Sequence, residues 1–228
     1  VTVNKMITYE EMIKTIEYHL LATDITESNT VEGCKQAVSH KIPVVCVKPC
    51  YVHQSINILR GSNTIGATVI GYPLGNTPTL IKAAEAKLAL TEGVLELNVV
   101  ANTTYLLEGK DELFQKDLES ICCLARMNGA VINVIIDSQL LSEDLIEKAA
   151  HIAIKIGAAW ISPSTGANAL NDENYLPAIK RVGDGKIKLK TMGSVESYGD
   201  WLRKFNLGFD RIGTRDLRHL LKSFKPMQ

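Results

Sequence analysis

The chain has 228 residues, 46% of them hydrophobic, and its 25 basic and 25 acidic side chains leave a formal net charge of zero. That balance removes the global electrostatic case for a nucleic-acid partner, and no apolar run approaches the ~18 residues of a membrane span. The opening Val1-Thr2-Val3-Asn4-Lys5 lacks the basic and then apolar segments of a secretory signal. The odd number of cysteines, five, fits reduced thiols in a cytoplasm better than a disulfide framework.

From the N-terminus, Thr8-Tyr9-Glu10-Glu11 has the form of a capping box and predicts a short helix. Short β-branched runs then predict strands over 16–20, 44–48, 64–70, 94–100, 131–136, 159–162, 187–190 and 210–213. Between them, apolar residues three and four apart predict helices, most clearly over 77–91, 111–128 and 142–156. Eight strand–helix units without a long linker, low-complexity segment or strong internal repeat predict a single domain over 1–228. The expected architecture is a closed (β/α)8 barrel of the TIM type, which typically takes about 250 residues. A doubly wound parallel sheet shows the same alternation and stays open at this level.

In such a barrel the chemistry lies at the carboxyl ends of the strands. Residues two apart on a strand share a face, which pairs Glu17 with His19 and Cys46 with Lys48. Cys46, Cys50 and His53 invite a metal reading, but their spacing is not one of the common zinc patterns. Cys122 and Cys123, inside a helical stretch, read as core packing.

Five blocks stand in an order that resembles deoxyribose-phosphate aldolase. Val45-Cys46-Val47-Lys48-Pro49-Cys50-Tyr51-Val52 resembles that family's V-C-V-N-P-C-Y-V. Gly66-Ala67-Thr68-Val69-Ile70-Gly71-Tyr72-Pro73-Leu74-Gly75 resembles V-A-T-V-I-G-F-P-L-G, and Ala83-Ala84-Glu85-Ala86 follows as in the family. Val134-Ile135-Ile136-Asp137, the run from Ala158 to Gly166 (family A-D-F-V-K-T-S-T-G) and Arg211-Ile212-Gly213-Thr214 complete the series. The resemblance spans roughly Ile16 to Thr214. It implies a TIM barrel, carbon–carbon bond chemistry on a small carbonyl-containing substrate, no metal or other cofactor, and assembly as a homodimer or homotetramer.

The same resemblance shows which reactive positions differ. Where the family carries its Schiff-base lysine this chain has Ser162, and a hydroxyl cannot form an iminium with a carbonyl. The aspartate of the family's E-I-D-M-V becomes Asn98, which cannot act as a general base near neutral pH. The lysine of V-K-V-I-I-E becomes Asn133, the D-H-T segment becomes Glu17-Tyr18-His19, and the second-strand asparagine becomes Lys48. The family's second lysine is kept as Lys190. The expected catalytic set is therefore Lys190, Lys48, His19, Asn98 and Glu17, with Ser162, Asn133 and Cys46 against the substrate.

Each candidate also has a plain structural role open to it. Ser162 can serve as a buried hydroxyl satisfying its neighbours, Lys48 can snorkel to solvent, and His19 can be a satisfied core histidine. Against that, many polar groups in one cavity are costly unless paired or used. Burial, and Lys48 if it points inward, would lower the pKa of Lys190 and make it a nucleophile.

For the family's phosphate cradle the corresponding residues are Thr165, Gly166, Gly193, Ser194, Gly213, Thr214 and Arg215. Here Ala167 follows Gly166, and Glu196 stands where the family's S-G-G-x-R has arginine, so a carboxylate faces an expected dianion. Arg215 can compensate as a bidentate donor, although Asp216 adjoins it. The expectation is a substrate without phosphate. Three functions remain open: a diverged aldolase of specialised biosynthesis with Lys190 or Lys48 as the reactive amine; an enzyme that orients a reactive intermediate for cyclisation, dehydration or isomerisation without a covalent bond; and a non-catalytic relic that binds a metabolite or a protein.

Overall fold

The computed structural model describes residues 7–167, 175–183, 185–192 and 195–224. In chain order the elements are α1 (Tyr9–Ile13), β1 (Ile16–Leu20), α2 (Glu27–Ser39), β2 (Val44–Val47), α3 (Val52–Leu59), β3 (Ile65–Ile70), α4 (Thr79–Thr91), β4 (Glu96–Val100), α5 (Thr103–Leu107), α6 (Asp111–Met127), β5 (Val131–Ile135), α7 (Glu143–Ile156), β6 (Trp160–Ser162), α8 (Leu176–Gly183), β7 (Lys188–Thr191), α9 (Tyr198–Asn206), β8 (Arg211–Thr214) and α10 (Leu217–Ser223). The strands pair in sequence order, all parallel. The ring closes where Ile16 pairs with Ile212 and Glu17 with Gly213. That closure decides between the two architectures the sequence left open: the fold is a TIM barrel.

Alternation along each strand sorts side chains between two cores. Leu20, Val45, Val47, Leu97, Val99, Ile132, Val134, Ile161 and Ile212 face outward and pack under the helices. Full burial of each such side chain contributes about 1.5–3 kcal/mol. The intervening residues face the lumen, where Val44, Cys46, Ala67, Val69, Val100, Ile135 and Met192 form a smaller apolar cluster. Polar inward residues on β1, β4, β5, β6 and β7 bond to one another, as described below.

Local signals explain most element ends. Thr8 caps α1 with the predicted reciprocal box: its hydroxyl accepts from Glu11 N–H, and the Glu11 carboxylate accepts from Thr8 N–H. Gly157 takes the left-handed conformation (φ 81°) that closes α7. α4 starts at Thr79 rather than 77, because Pro78 occupies its N-cap position. β2 ends one residue earlier than expected, since Lys48 leads into the short 3-10 turn Pro49–Tyr51 and Pro49 has no N–H to give a ladder. Gly75 (φ 70°) lets the β3–α4 loop lie on the end of β4, as a Cβ there would stand 2.3 Å from the Ala101 carbonyl oxygen. No described helix is long and apolar enough to cross a membrane.

Candidate active site

Lys190 sits in the middle of the lumen, fully buried. Its ammonium lies 2.5 Å from Glu17 Oε2 on β1 and 2.5 Å from Glu96 Oε1 on β4, and it donates to Asn98 Oδ1 at 2.8 Å. Arg211, on β8, closes the other side of Glu96 with Nη1 at 2.5 Å from Oε2, and stands 3.8 Å from Glu17. Burial by itself would strip the proton from Lys190, but the Glu17 and Glu96 carboxylates outweigh it and hold the pKa above the usual lysine value. Glu17 shows the converse balance. Burial pushes its carboxyl up, yet Lys190, His19 and Arg211 together hold it well below the usual carboxylate range.

The expected free amine at Lys190 is thus corrected to an ammonium, because two acids, not a second cation, surround it. Lys48 does not take part. Its Nζ donates to the Thr23 and Ile25 carbonyls at 3.0 and 2.9 Å, tying down the loop after β1. Standing one residue past the end of β2, Lys48 no longer follows the alternation that turns Cys46 inward.

Above Lys190 the polar chain continues toward the carboxyl end. Asn133 Nδ2 donates to Asn98 Oδ1 at 2.9 Å and approaches Met192 Sδ at 3.6 Å, and Ser162 Oγ donates to Asn133 Oδ1 at 3.1 Å. Asn98 Nδ2 lies 3.3 Å from Glu17 Oε1 and 3.2 Å from Cys46 Sγ. His19 Nε2 lies 3.2 Å from Glu17 Oε1. Burial pushes the Cys46 thiol well above its usual range, which leaves it inert as a nucleophile. Seven of the expected residues, from Glu17 to Lys190, therefore form one connected network. Cys50 and His53 do not join Cys46: both are exposed on the turn and helix after β2.

At the carboxyl-end rim of β1 to β3 a cavity of about 300 Å³ opens between Thr23, Lys48, Val69, Tyr72 and Glu85. Glu85 Oε2 accepts from Gly71 N–H at 2.8 Å. Burial raises the Tyr72 phenol, and the Arg215 guanidinium opposes that shift. Around the expected phosphate cradle, donors are already engaged within the protein. Gly166 N–H reaches Ser164 Oγ at 3.3 Å, Gly213 N–H donates to Thr191 Oγ1 at 3.0 Å, and the Thr214 hydroxyl donates to Val195 O at 2.5 Å. The Thr165 hydroxyl accepts from Ala167 N–H at 3.3 Å, and Arg215 donates to the Gly166 carbonyl. Gly193 and Ser194 lie outside the described residues.

The chain is 31% identical over 207 residues to a deoxyribose-phosphate aldolase of Clostridium kluyveri, covering 90% of this chain and 94% of that protein. It is 36% identical over 203 residues to the one from Desulfitobacterium hafniense, covering 87% and 92%. This chain belongs to the deoxyribose-phosphate aldolase family. Among solved structures, QR15, an aldolase, superimposes with a TM-score of 0.86 at 28% identity over 93% of this chain and 95% of that one. The tetrameric deoxyribose phosphate aldolase from Aeropyrum pernix does so with 0.87 at 25% identity, over 94% and 91%. No protein-family profile matches the chain.

Membership in this aldolase family, whose members are lyases, makes the residues that sequence reasoning passed over the more informative. Glu96 stood in the run used to locate Asn98 and was given no role, although two positions on a strand share a face. Arg211 likewise stands two residues before Gly213. Both were legible as inward positions, but that Glu96 bridges Lys190 and Arg211 follows only from ring closure. Tyr72 and Glu85 also stood in quoted blocks, and loop geometry alone brings them to the rim.

Proposed function

We propose that this chain is a diverged aldolase that makes or breaks a carbon–carbon bond next to a carbonyl without forming an imine, on a substrate lacking phosphate. The carrying observation is Lys190. Its three ammonium protons are matched by Glu17, Glu96 and Asn98, and its pKa is raised. An amine so held does not attack a carbonyl; it is a fixed positive charge. Linked to Ser162 through Asn98 and Asn133, that charge favours the enolate or alkoxide that develops when the bond beside a carbonyl is made or broken, as preorganised dipoles and cations do in dry sites. Ser162 and Asn133 then orient the carbonyl oxygen, and His19 moves the proton. By resemblance Ser162 and Asn98 replace the family's amine and carboxylate, which supports a reaction other than the one in the relatives' name.

The engaged Gly213 N–H and Thr214 hydroxyl, together with the exposed carboxylate of Glu196, support a substrate without phosphate. Isomerisation, dehydration or cyclisation of a reactive intermediate draws on the same groups, and the full engagement of Lys190 favours that second reading equally over any covalent route. The setting we infer is specialised biosynthesis in a cytoplasm, in keeping with five cysteines that form no disulfide. Leu80, Ala84 and Leu88, exposed at four-residue intervals along α4, support assembly with further copies of the chain into dimers or tetramers.

The test is borohydride reduction in the presence of a panel of unphosphorylated aldehydes and ketones, followed by peptide mass spectrometry and turnover assays. No adduct on Lys190 is expected. Lys190→Ala should lower kcat by about 10²–10³-fold, and Lys190→Arg should keep part of it. With 2-deoxyribose 5-phosphate, acetaldehyde release should fall several orders of magnitude below that of a family member with both groups. A reduced adduct on Lys190 would overturn the non-covalent step, brisk acetaldehyde release would overturn the substrate class, and no turnover on any compound would favour the binding relic.

A further inference from the structure

A second cavity lies at the opposite end of the barrel from the rim just described. It measures about 860 Å³ and opens at the amino ends of the strands, where Ile65, Val131, Trp160, Lys188 and Arg211 each begin a strand. TIM-barrel chemistry gathers at the carboxyl end, so the proposed reaction makes no use of this space. One wall is apolar, formed by Ile65 and Val131. The other is basic, formed by Lys186, Lys188 and Arg211.

Trp160 joins the two walls. The Arg211 guanidinium carbon stands 4.1 Å from its ring centroid and Lys188 Nζ stands 5.2 Å from it. Both are cation–π distances. Among the described residues Arg211 donates a hydrogen bond from Nη1 to Glu96 only, which leaves its Nε and Nη2 protons for another acceptor. Lys186 and Lys188 are exposed, and neither forms an ion pair with a described residue. The two acids among the described lining residues are committed elsewhere: Asp210 accepts from Leu189 N–H at 2.8 Å, and Glu96 lies between Arg211 and Lys190. Lys180, also in the lining, donates a hydrogen bond to the Leu207 carbonyl at 2.6 Å.

We propose that this amino-end cavity is a binding site for an organic anion with an apolar or aromatic body. Its phosphate or carboxylate would be held by Lys186, Lys188 and the free edge of Arg211, and its body would lie against Trp160, Ile65 and Val131. A guanidinium stacked on an indole and anchored through one nitrogen is preorganised to present its remaining N–H groups to an oxyanion. The volume falls within the range of small-molecule sites. This site shares Arg211 and Glu96 with the Lys190 cluster, but binding there does not depend on the reaction proposed above.

The test uses the indole N–H resonances of the two tryptophans in the 15N-labelled full chain, assigned with Trp201→Phe. Titration with phenyl phosphate should shift the Trp160 resonance saturably at millimolar concentration or below and leave Trp201 unmoved. Phenyl phosphate should bind at least tenfold more tightly than inorganic phosphate, and phenol should produce no saturable shift. The exposed double substitution Lys186→Ala/Lys188→Ala should weaken binding at least tenfold while the remaining spectrum stays that of the folded protein. A Trp160 resonance unmoved by tens of millimolar phenyl phosphate would overturn the site. So would equal affinity in the double variant, or a response to phenol equal to that for phenyl phosphate.

Discussion

Two lysines of this barrel are sealed completely from solvent, and their surroundings drive them in opposite directions. Lys82, on α4, lies between the helical layer and the sheet, where Nζ meets Asp117 Oδ2 at 2.7 Å and the Val100 carbonyl at 2.9 Å. Burial wins there, and its pKa falls below the usual lysine value in spite of Asp117. Lys190 is buried equally, yet the Glu17 and Glu96 carboxylates reverse the sign. The lumen makes this possible, because inward residues of eight strands converge on one axis and acids from β1 and β4 reach the same ammonium. In the outer layer Lys82 meets one hydrogen-bonded carboxylate, from α6, and one carbonyl, from the end of β4. Burial therefore does not make a nucleophile; the count of neighbouring carboxylates decides. Among the described residues, the lysine with the lowered pKa, Lys82, is in the wall between α4 and the sheet.

The comparison breaks most directly on charge removal. Lys190→Met leaves Glu96 with Arg211, and Glu17 with His19, the Asn98 amide and the more distant Arg211, and should cost about 3–5 kcal/mol of stability, the usual penalty for half of a buried pair. Lys82→Met leaves a single carboxylate that still accepts from the Thr79 hydroxyl at 2.6 Å, so it should cost less, about 2–3 kcal/mol. Urea unfolding of both variants checks the order, and a larger loss for Lys82→Met would defeat the carboxylate-count account.

Titration sharpens it with a smaller effect. Glu17 has a folded pKa below its unfolded value near 4.5, so its contribution is whole above that value and is lost as pH falls toward the folded pKa. The stability gap between the wild type and Glu17→Gln should then narrow as pH drops from 5 to 3. At the alkaline end the lysines oppose each other. Lys82, with its pKa lowered, binds fewer protons folded than unfolded below 10.5, so its share of stability rises with pH there. Lys190, with its pKa raised, keeps its share up to 10.5 and loses it only above. The gap between the wild type and Lys82→Met should widen as pH rises toward 10.5, and a constant gap in urea titrations would show that Lys82 does not titrate early.

The smallest effect belongs to the top of the lumen. Ser162→Ala removes the hydroxyl that donates to Asn133 Oδ1 and should cost about 1–2 kcal/mol, with the Lys190 cluster untouched. A loss near that of Lys190→Met would mean that the two layers are one cooperative unit, and not a cation with an orienting layer above it.

The inward set was readable from period-two alternation: Glu17 with His19, and Asn98 two residues before Val100, follow from strand geometry alone. Lys48 stands one residue past the end of β2, where Pro49 starts a new turn, so strand alternation does not extend to it; it lines the rim cavity and bonds to the loop after β1, apart from the Lys190 cluster. Lys190 was placed correctly and its protonation inverted, because the acid on β4 was not counted among its neighbours. Trp160 and Arg211, with α8, β7 and α9 between them in sequence, gave no sign that they meet.

What the sequence by itself determined is the order of strands and helices, which face of each strand is apolar, and the family, since these depend on local periodicity and on short runs of neighbouring residues. What only the tertiary structure decided is the electrostatic state of the site and the existence of a second cavity. Closing the sheet brings Glu17, Glu96, Lys190 and Arg211 within ion-pair distance across 194 positions of chain, from 17 to 211. The energy of a charge depends on what surrounds it in space, with a range of a few ångströms, and sequence separation carries no such information.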